Sequence, residues 1–263
     1  MAGMASQRAL KAVVRGLLPL RAQLWLRRFV LARRSVRENA GFESELAGVR
    51  RFLTPGDIAV DLGATAGAFS IAMARTVGPT GRVFAFEPIP ENLEVLLEAA
   101  RLAALHNIET FRMGLSDRSG RAEFVIPEAE AFAGYYLARI ATPDDRGSRV
   151  DVPLETLDAL LASGRLPPPA FIKCDVEGHE LAVLRGAVAL MERHAPNWYV
   201  EVTRPTAAEV FGFLLAHGYS GAVWKFGRFS LTNAYMDGQF RNYFFVHPDN
   251  PRTATAGLPV ATA

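Results

Sequence analysis

From about residue 57 the apolar positions change period repeatedly along the chain. Short, mostly apolar runs, "DIAVDLG", "RVFAFEP", "IETFRM", "AFIKCD" and "WYVEV", alternate with "AFSIAMARTV", "ENLEVLLEAARLAAL" and "HELAVLRGAVALMERH", in which apolar residues recur every three or four positions. Near-continuous apolar strands separated by helical patterns predict a mostly parallel sheet buried on both faces by helices. Two stretches break the alternation. "RAEFVIPE" and "RVDVPLETL", around 120–153, read as extra strands around a polar loop, an insertion beside the substrate. "YSGAVWKF" and "NYFFVHP", within 219–248, read as a closing antiparallel pair. "LPPPA" at 166–170 is a stiff connector rather than a boundary. The tail "PRTATAGLPVATA" has no period and predicts disorder. The chain thus divides into a basic amphipathic helical segment at 1–45, a domain at 46–250 and a tail at 251–263.

Composition narrows this picture. With 263 residues, half of them hydrophobic, the chain can bury one sizeable core. A net charge of +2 gives no global field for nucleic acid. The single cysteine, Cys174, excludes a disulfide framework and a cysteine zinc site, and suits the cytoplasm. Charge is unevenly spread, however. Nine basic residues fall within 1–37 and no acid precedes Glu38, with leucines, valines and Trp25 between them. The uncharged runs there are too short to span a bilayer or to form a signal peptide. Three readings are open for 1–37: a helix packed on the domain with its arginines in water, peripheral contact with an anionic membrane, or an organellar targeting segment.

The candidate chemistry sits at strand ends, where open α/β sheets bind ligands. "VDLGATAGAFS" places Asp61 at the end of a strand and Gly63 and Gly67 in the turn before a helix. Glycines let a backbone approach a ligand closely, and a helix start offers free N–H groups. Glu87 falls twenty residues after Gly67, where an acid commonly takes ribose hydroxyls. The spacing D-x-G-x-x-x-G is not the dinucleotide fingerprint, and Asp61 would repel a pyrophosphate. Asp61 on an ammonium group and Glu87 on a ribose fit S-adenosylmethionine better than NAD.

"VDLGATAGAFS", "GRVFAFEPIPENLEVL", "GLSDRSG" and "FIKCDVEGHELAVLRGA", in this order, resemble the FkbM-type family of S-adenosylmethionine-dependent methyltransferases, and "NWYVEV" and "NYFFVHP" continue the match. The resemblance covers about residues 50–248. It implies a Rossmann-like sheet of seven strands, mostly parallel with helices on both faces. It also implies O-methylation of a hydroxyl on a sugar, lipid or secondary metabolite. The family usually carries Asn where Thr65 stands. It suggests that Asp117, in "GLSD", lies at the adenine end of the cofactor; a turn-forming aspartate is the plain alternative. Cofactor contacts are expected from Asp61, Gly63, Thr65, Gly67, Glu87, Asp117 and Asp175.

The acidic strand end "KCDVEGHE" carries the chemistry. Asp175 ends the fourth strand and Glu201 the fifth, with Glu177, His179 and Glu180 following Asp175. Such a cluster calls for a cation: the cofactor's sulfonium and ammonium, Lys173, or a divalent metal, for which oxygen donors suggest Mg²⁺ or Mn²⁺. A hydroxyl acceptor needs a general base, and Asp175, His179 and Glu201 are the candidates. Glu177 and Glu180 could instead favour the positive helix end. Lys173, in a buried strand, is expected to pair with an acid, and Cys174 to be a small core residue. Tyr135 and Tyr136 could stack on an acceptor. His194 and His217 have no evident task. Two rivals remain: an NAD-dependent oxidoreductase on a similar sheet, and a non-catalytic nucleoside-binding module.

Overall fold

The computed structural model describes residues 19–37, 43–127, 135 and 137–258. The strands predicted from apolar runs are present: β1 (Ile58–Leu62), β2 (Arg82–Phe86), β3 (Ile108–Phe111), β8 (Phe171–Cys174) and β9 (Asn197–Glu201). They lie parallel in the order β3-β2-β1-β8-β9. β12 (Asn242–Val246) joins β9 antiparallel, then β10 (Ser220–Lys225) and β11 (Arg228–Leu231) follow. The sheet therefore has eight strands where seven were expected, and the closing pair is a closing triple. The extra strand arises at the tight turn Phe226–Gly227. Both residues there have positive φ, 52° and 75°, the geometry of a two-residue hairpin.

Successive strand residues point to opposite faces and feed two cores. Trp198 and Val200 pack on one side with Phe245; Tyr199 and Phe171 pack on the other with Phe52 and Phe244. The first face is covered by α6 (Glu180–Arg185), α7 (Val188–His194) and α8 (Ala207–Ala216). α6 and α7 were read as one helix. They part at Gly186, where a Cβ would stand 2.0 Å from the Ser116 carbonyl oxygen, so the chain must break to let that loop pass. α3 (Ala68–Val77) and α4 (Pro90–Leu102) follow β1 and β2.

The insertion forms its own sheet of β4 (Gly114–Leu115), β7 (Gly147–Glu155), β5 (Gly120–Pro127) and β6 (Arg139–Ile140), with α5 (Leu157–Ala162) after it. It packs Phe124 and Val152 on Ile89, just past the end of β2. Tyr136 and the loop 128–134 lie outside the described residues.

Two expected boundaries do not hold. Residues 251–258 are ordered: α9 (Pro251–Thr255) is capped by Asn250, Arg252 makes a two-pronged ion pair with Asp57 at 3.0 and 2.6 Å, and Leu258 is buried. Periodicity could not show this, because those contacts reach across the whole chain. At the other end, the line between 45 and 46 cuts through α2 (Glu43–Val49), whose Leu46 and Val49 belong to the core. Within the basic segment the described residues include α1 (Leu20–Val36), which docks on α4 through Arg27. Among the described residues no helix is long and apolar enough to cross a membrane.

Candidate active site

A cavity of about 470 Å³ opens at the carboxyl ends of β1, β2, β8 and β9, within the range of small-molecule sites. One end is walled by apolar side chains that include Phe86, Pro88, Leu115, Phe124 and Ile140, with Glu87 among them. The other end carries Glu45, Asp175, Glu177, Glu201 and Arg241. The inserted sheet thus covers the Glu87 end.

Glu87 is almost fully buried, yet both its oxygens are served. Oε2 accepts from the Thr65 N–H at 2.8 Å; Oε1 accepts from the Ile89 N–H at 2.9 Å and from Asn92 Nδ2 at 3.3 Å. Burial pushes its carboxyl up to about 7, against the pull of those three donors. Thr65 reaches Glu87 with a left-handed backbone, φ 47°, so the expected cofactor residue acts first as a brace for the acid.

The glycine turn is explained by a neighbour as much as by a ligand. A Cβ on Gly63 (φ 71°) would sit 1.9 Å from the Asp175 carbonyl oxygen. The loops leaving β1 and β8 are in contact, and only glycine fits between them. Gly67 (φ 84°) opens α3 against Leu96.

Asp61 departs from expectation. Its carboxylate is fully buried and is not part of the cavity wall. Ser70 Oγ donates to Oδ2 at 2.6 Å, and Lys173 Nζ, cross-strand from it, lies 3.3 Å from Oδ1. Lys173 is the intermediary: its Nζ also lies 3.6 Å from Asp175 Oδ2 and donates to the Gly63 carbonyl at 3.2 Å. Burial works to lower its pKa, but the Asp175 and Asp61 carboxylates outweigh it and raise it, so Lys173 stays charged. Cys174 is wholly buried, and burial raises its thiol well above the usual range, leaving it inert.

At the acidic end, donor oxygens of Asp175, Glu177 and Glu201 come within 4.8 Å of one another. Glu201 Oε1 accepts from Arg241 Nη2, while its Oε2 is buried without a hydrogen-bond partner. Burial, then the charges of Asp175 and Glu177, push the Glu201 carboxyl up to about 7. Glu177 holds a left-handed backbone, φ 54°, and burial followed by Asp175 raises its pKa. Glu180 is elsewhere: Oε1 accepts from the N–H groups of Val176 and Gly178 at 3.0 and 3.1 Å, so it shapes the loop that presents Asp175 and Glu177.

His179 lines the cavity with Nε2 2.9 Å from Ser116 Oγ, and burial lowers its pKa, keeping the ring neutral. Asp117 is exposed and off the cavity wall; it accepts from Ser116 Oγ at 3.2 Å and its charge partly offsets that lowering. The cavity wall next to it is formed instead by Leu115. Tyr135 borders the cavity, with its ring under Arg27. His217 Nδ1 is tied to the Phe213 carbonyl at 2.7 Å and lies away from the site with His194. Glu45 and Arg241 were missed by sequence reasoning. Each comes from a segment whose local pattern carries no chemical signal.

Residues 61–220 match the methyltransferase FkbM domain. A hexuronic acid methyltransferase, AglP, of Haloferax volcanii is 38% identical over 106 residues, 40% of this chain and 40% of the relative, so the match spans less than half of that protein. In fold, the chain is similar to the crystal structure of methyltransferase FkbM from Methylobacillus flagellatus, with a TM-score of 0.50 and 19% identity over 73% of this chain and 44% of that one. An S-adenosylmethionine-dependent O-methyltransferase from Thermotoga maritima is more remote, at a TM-score of 0.45 and 13% identity over 78% and 64% of the two chains.

Proposed function

This chain belongs to the FkbM methyltransferase domain family, and from that premise we propose that it moves the methyl group of S-adenosylmethionine to a hydroxyl of a sugar acid. The observation that carries the reading is Glu87. A carboxylate already braced by three N–H donors, at the end of the second strand and inside the cavity, is a preformed acceptor for the two ribose hydroxyls. The apolar wall beside it suits a purine, and the Asp175 end suits the cationic methionine portion. Neither suits a pyrophosphate, which counts against the oxidoreductase reading.

Methyl transfer is an in-line displacement: the acceptor oxygen bonds to the methyl carbon as the carbon–sulfur bond breaks, and the hydroxyl proton must leave. Positioning supplies much of the rate. Glu201 is the first choice to take the proton, because the residue lines the cavity, its carboxyl is pushed up to about 7 and one of its oxygens accepts no hydrogen bond. Asp175, anchored by Lys173, orients it or the donor. His179 would have to release Ser116 or use its other nitrogen. Arg241, mostly exposed on the same wall, has N–H groups left for an acceptor carboxylate. The sugar-acid assignment follows from the named activity of the Haloferax volcanii relative.

Calorimetric titration with S-adenosylmethionine and with NAD, followed by mass spectrometry of glucuronate-containing acceptors, tests the reading. Binding of S-adenosylmethionine alone and a methyl-sized mass gain are expected. Preference for NAD would overturn the reading, and cofactor binding without transfer to any acceptor would favour the non-catalytic module.

A further inference from the structure

The basic helix α1 has two faces with different tasks. The inner face is fixed to the domain. Arg27, 7% exposed, donates to the Glu91 carbonyl at 3.0 Å and to Asn92 Oδ1 at 2.6 Å, and Ala32 is fully buried beside Ala66 and Val95. Ser35 Oγ donates to the Ala66 carbonyl at 2.7 Å, inside the glycine turn. The outer face is unlike a normal solvated helix. Trp25 is 60% exposed, Leu26 37% and Val30 52%, and Phe29 stacks on Trp25 with centroids 6.0 Å apart. These four positions, with Arg33, fall on one arc of the helix. Arg33 lies over the Phe29 ring at 5.3 Å, and Arg34 is exposed next to it.

We propose that this outer face is a docking surface for an anionic lipid bilayer, with α1 lying in the plane of the interface. Charge complementarity selects that occupant. The helix holds no acid; Arg33 and Arg34 are exposed on its outer side, Arg27 is spent on the inner face and Arg28 faces Glu94, while Arg8, Lys11 and Arg15 precede the helix. An exposed tryptophan among aliphatic residues, flanked by arginines, is the composition of an interfacial helix. A protein partner of ordinary mixed charge would leave those arginines unmatched. Because α1 is already held by Arg27, Ala32 and Ser35, docking costs no folding of the helix. The inner face also brings the membrane close to the cavity through short links: Arg27 holds Asn92, which in turn donates to Glu87.

The test uses the full chain and vesicles of phosphatidylcholine with or without phosphatidylglycerol. Sedimentation should show binding only to the anionic vesicles, weakening at least about tenfold from low to physiological salt as charges are screened. Tryptophan emission should be quenched by brominated acyl chains, and the quenching should be lost in Trp25→Phe, since Trp198 is fully buried and Trp224, on β10, is half-buried against Phe229. Leu26→Asp with Val30→Asp should leave thermal unfolding unchanged and abolish binding. Should that variant unfold, bromolipid quenching of the unaltered protein decides. Absence of binding at low salt would overturn the proposal. So would undiminished binding of the folded double variant, or a solution dimer that the double variant splits, which would assign the face to a second copy of the chain. None of these readouts depends on the methyltransferase reading.

Discussion

The two ends of the cavity hold the same kind of group under opposite conditions. Glu87 and Glu201 are both buried carboxyls at strand ends, and both are pushed up to about 7. At Glu87 burial acts against three N–H donors that favour the charge. At Glu201 burial acts together with Asp175 and Glu177, and one oxygen has no donor at all. The first end is complete as it stands and needs only a ligand that donates hydrogen bonds. The second end is short of positive charge and has an acceptor to spare, as a proton-abstracting site requires. A single perturbed pKa would not separate the two roles; the donor inventory does.

Lys173 ties the buried Asp61 and the Gly63 carbonyl to Asp175 at the acidic end, so removing it should have the largest effect. Lys173→Met leaves Asp61 charged in a site with no solvent and frees Asp175 from its anchor. Loss of one partner of a buried pair typically costs about 3–5 kcal/mol, and chemical denaturation should show a drop of that order. Asp61→Ala should behave likewise, being a loss of stability more than of a ligand contact. A stable Lys173→Met protein would mean that the pair is not the pillar described here.

The next contrast is a crossover. Glu201→Gln should slow methyl transfer by about 10²–10⁴-fold with the dissociation constant for S-adenosylmethionine unchanged. Glu87→Gln should do the reverse, weakening S-adenosylmethionine roughly 10- to 150-fold, the range for a hydrogen bond to a charged group. If both variants weakened binding equally, the two ends would not have separate tasks.

Glu87 also makes stability pH-dependent. A carboxyl that ionises less readily folded than unfolded favours the folded state while it is protonated. That contribution is complete below about pH 4.5 and is lost as pH rises to about 7, at most about 3 kcal/mol. Urea unfolding of the unliganded protein at about pH 5 and about pH 7.5 should show the fall, and Glu87→Gln should reduce it, leaving the share of Glu201, which is raised alike. An equal slope in both proteins would place the titration elsewhere.

Much of this was legible beforehand because it is local or periodic. The β1–α3 turn, Glu87, Asp175 and Glu201 all lie at ends of runs whose period defines strands. What was not legible depends on register or on distant chain segments. Asp61 looked like a ligand residue because its partner, Lys173, is supplied by a neighbouring strand more than a hundred residues away. Gly63 looked like a concession to a ligand until the Asp175 carbonyl was seen against it. Asp117 and His179 share Ser116, which no spacing rule would pair. Glu45 and Arg241 enter from helix α2 and from the approach to β12, and only the closed sheet brings them to the cavity.

The smallest expected effect concerns metal. Asp175, Glu177 and Glu201 form an all-oxygen donor set that could hold Mg²⁺ or Mn²⁺. One oxygen of Glu201 is already taken by Arg241 and one of Asp175 faces Lys173. These two fixed cations leave a deficit that the sulfonium and ammonium of the methyl donor can meet on binding. Methyl transfer also needs no Lewis acid at the carbon, since the sulfonium is already a good leaving group. On this reading EDTA should leave turnover unchanged, and added Mg²⁺ or Mn²⁺ should not raise it. The measurement sharpens the contrast between the two ends, because chelation could act only at the acidic one. Activity lost to EDTA and restored by either ion would transfer the three carboxylates to a metal centre, and Glu201 would then acidify the acceptor through the ion instead of taking its proton.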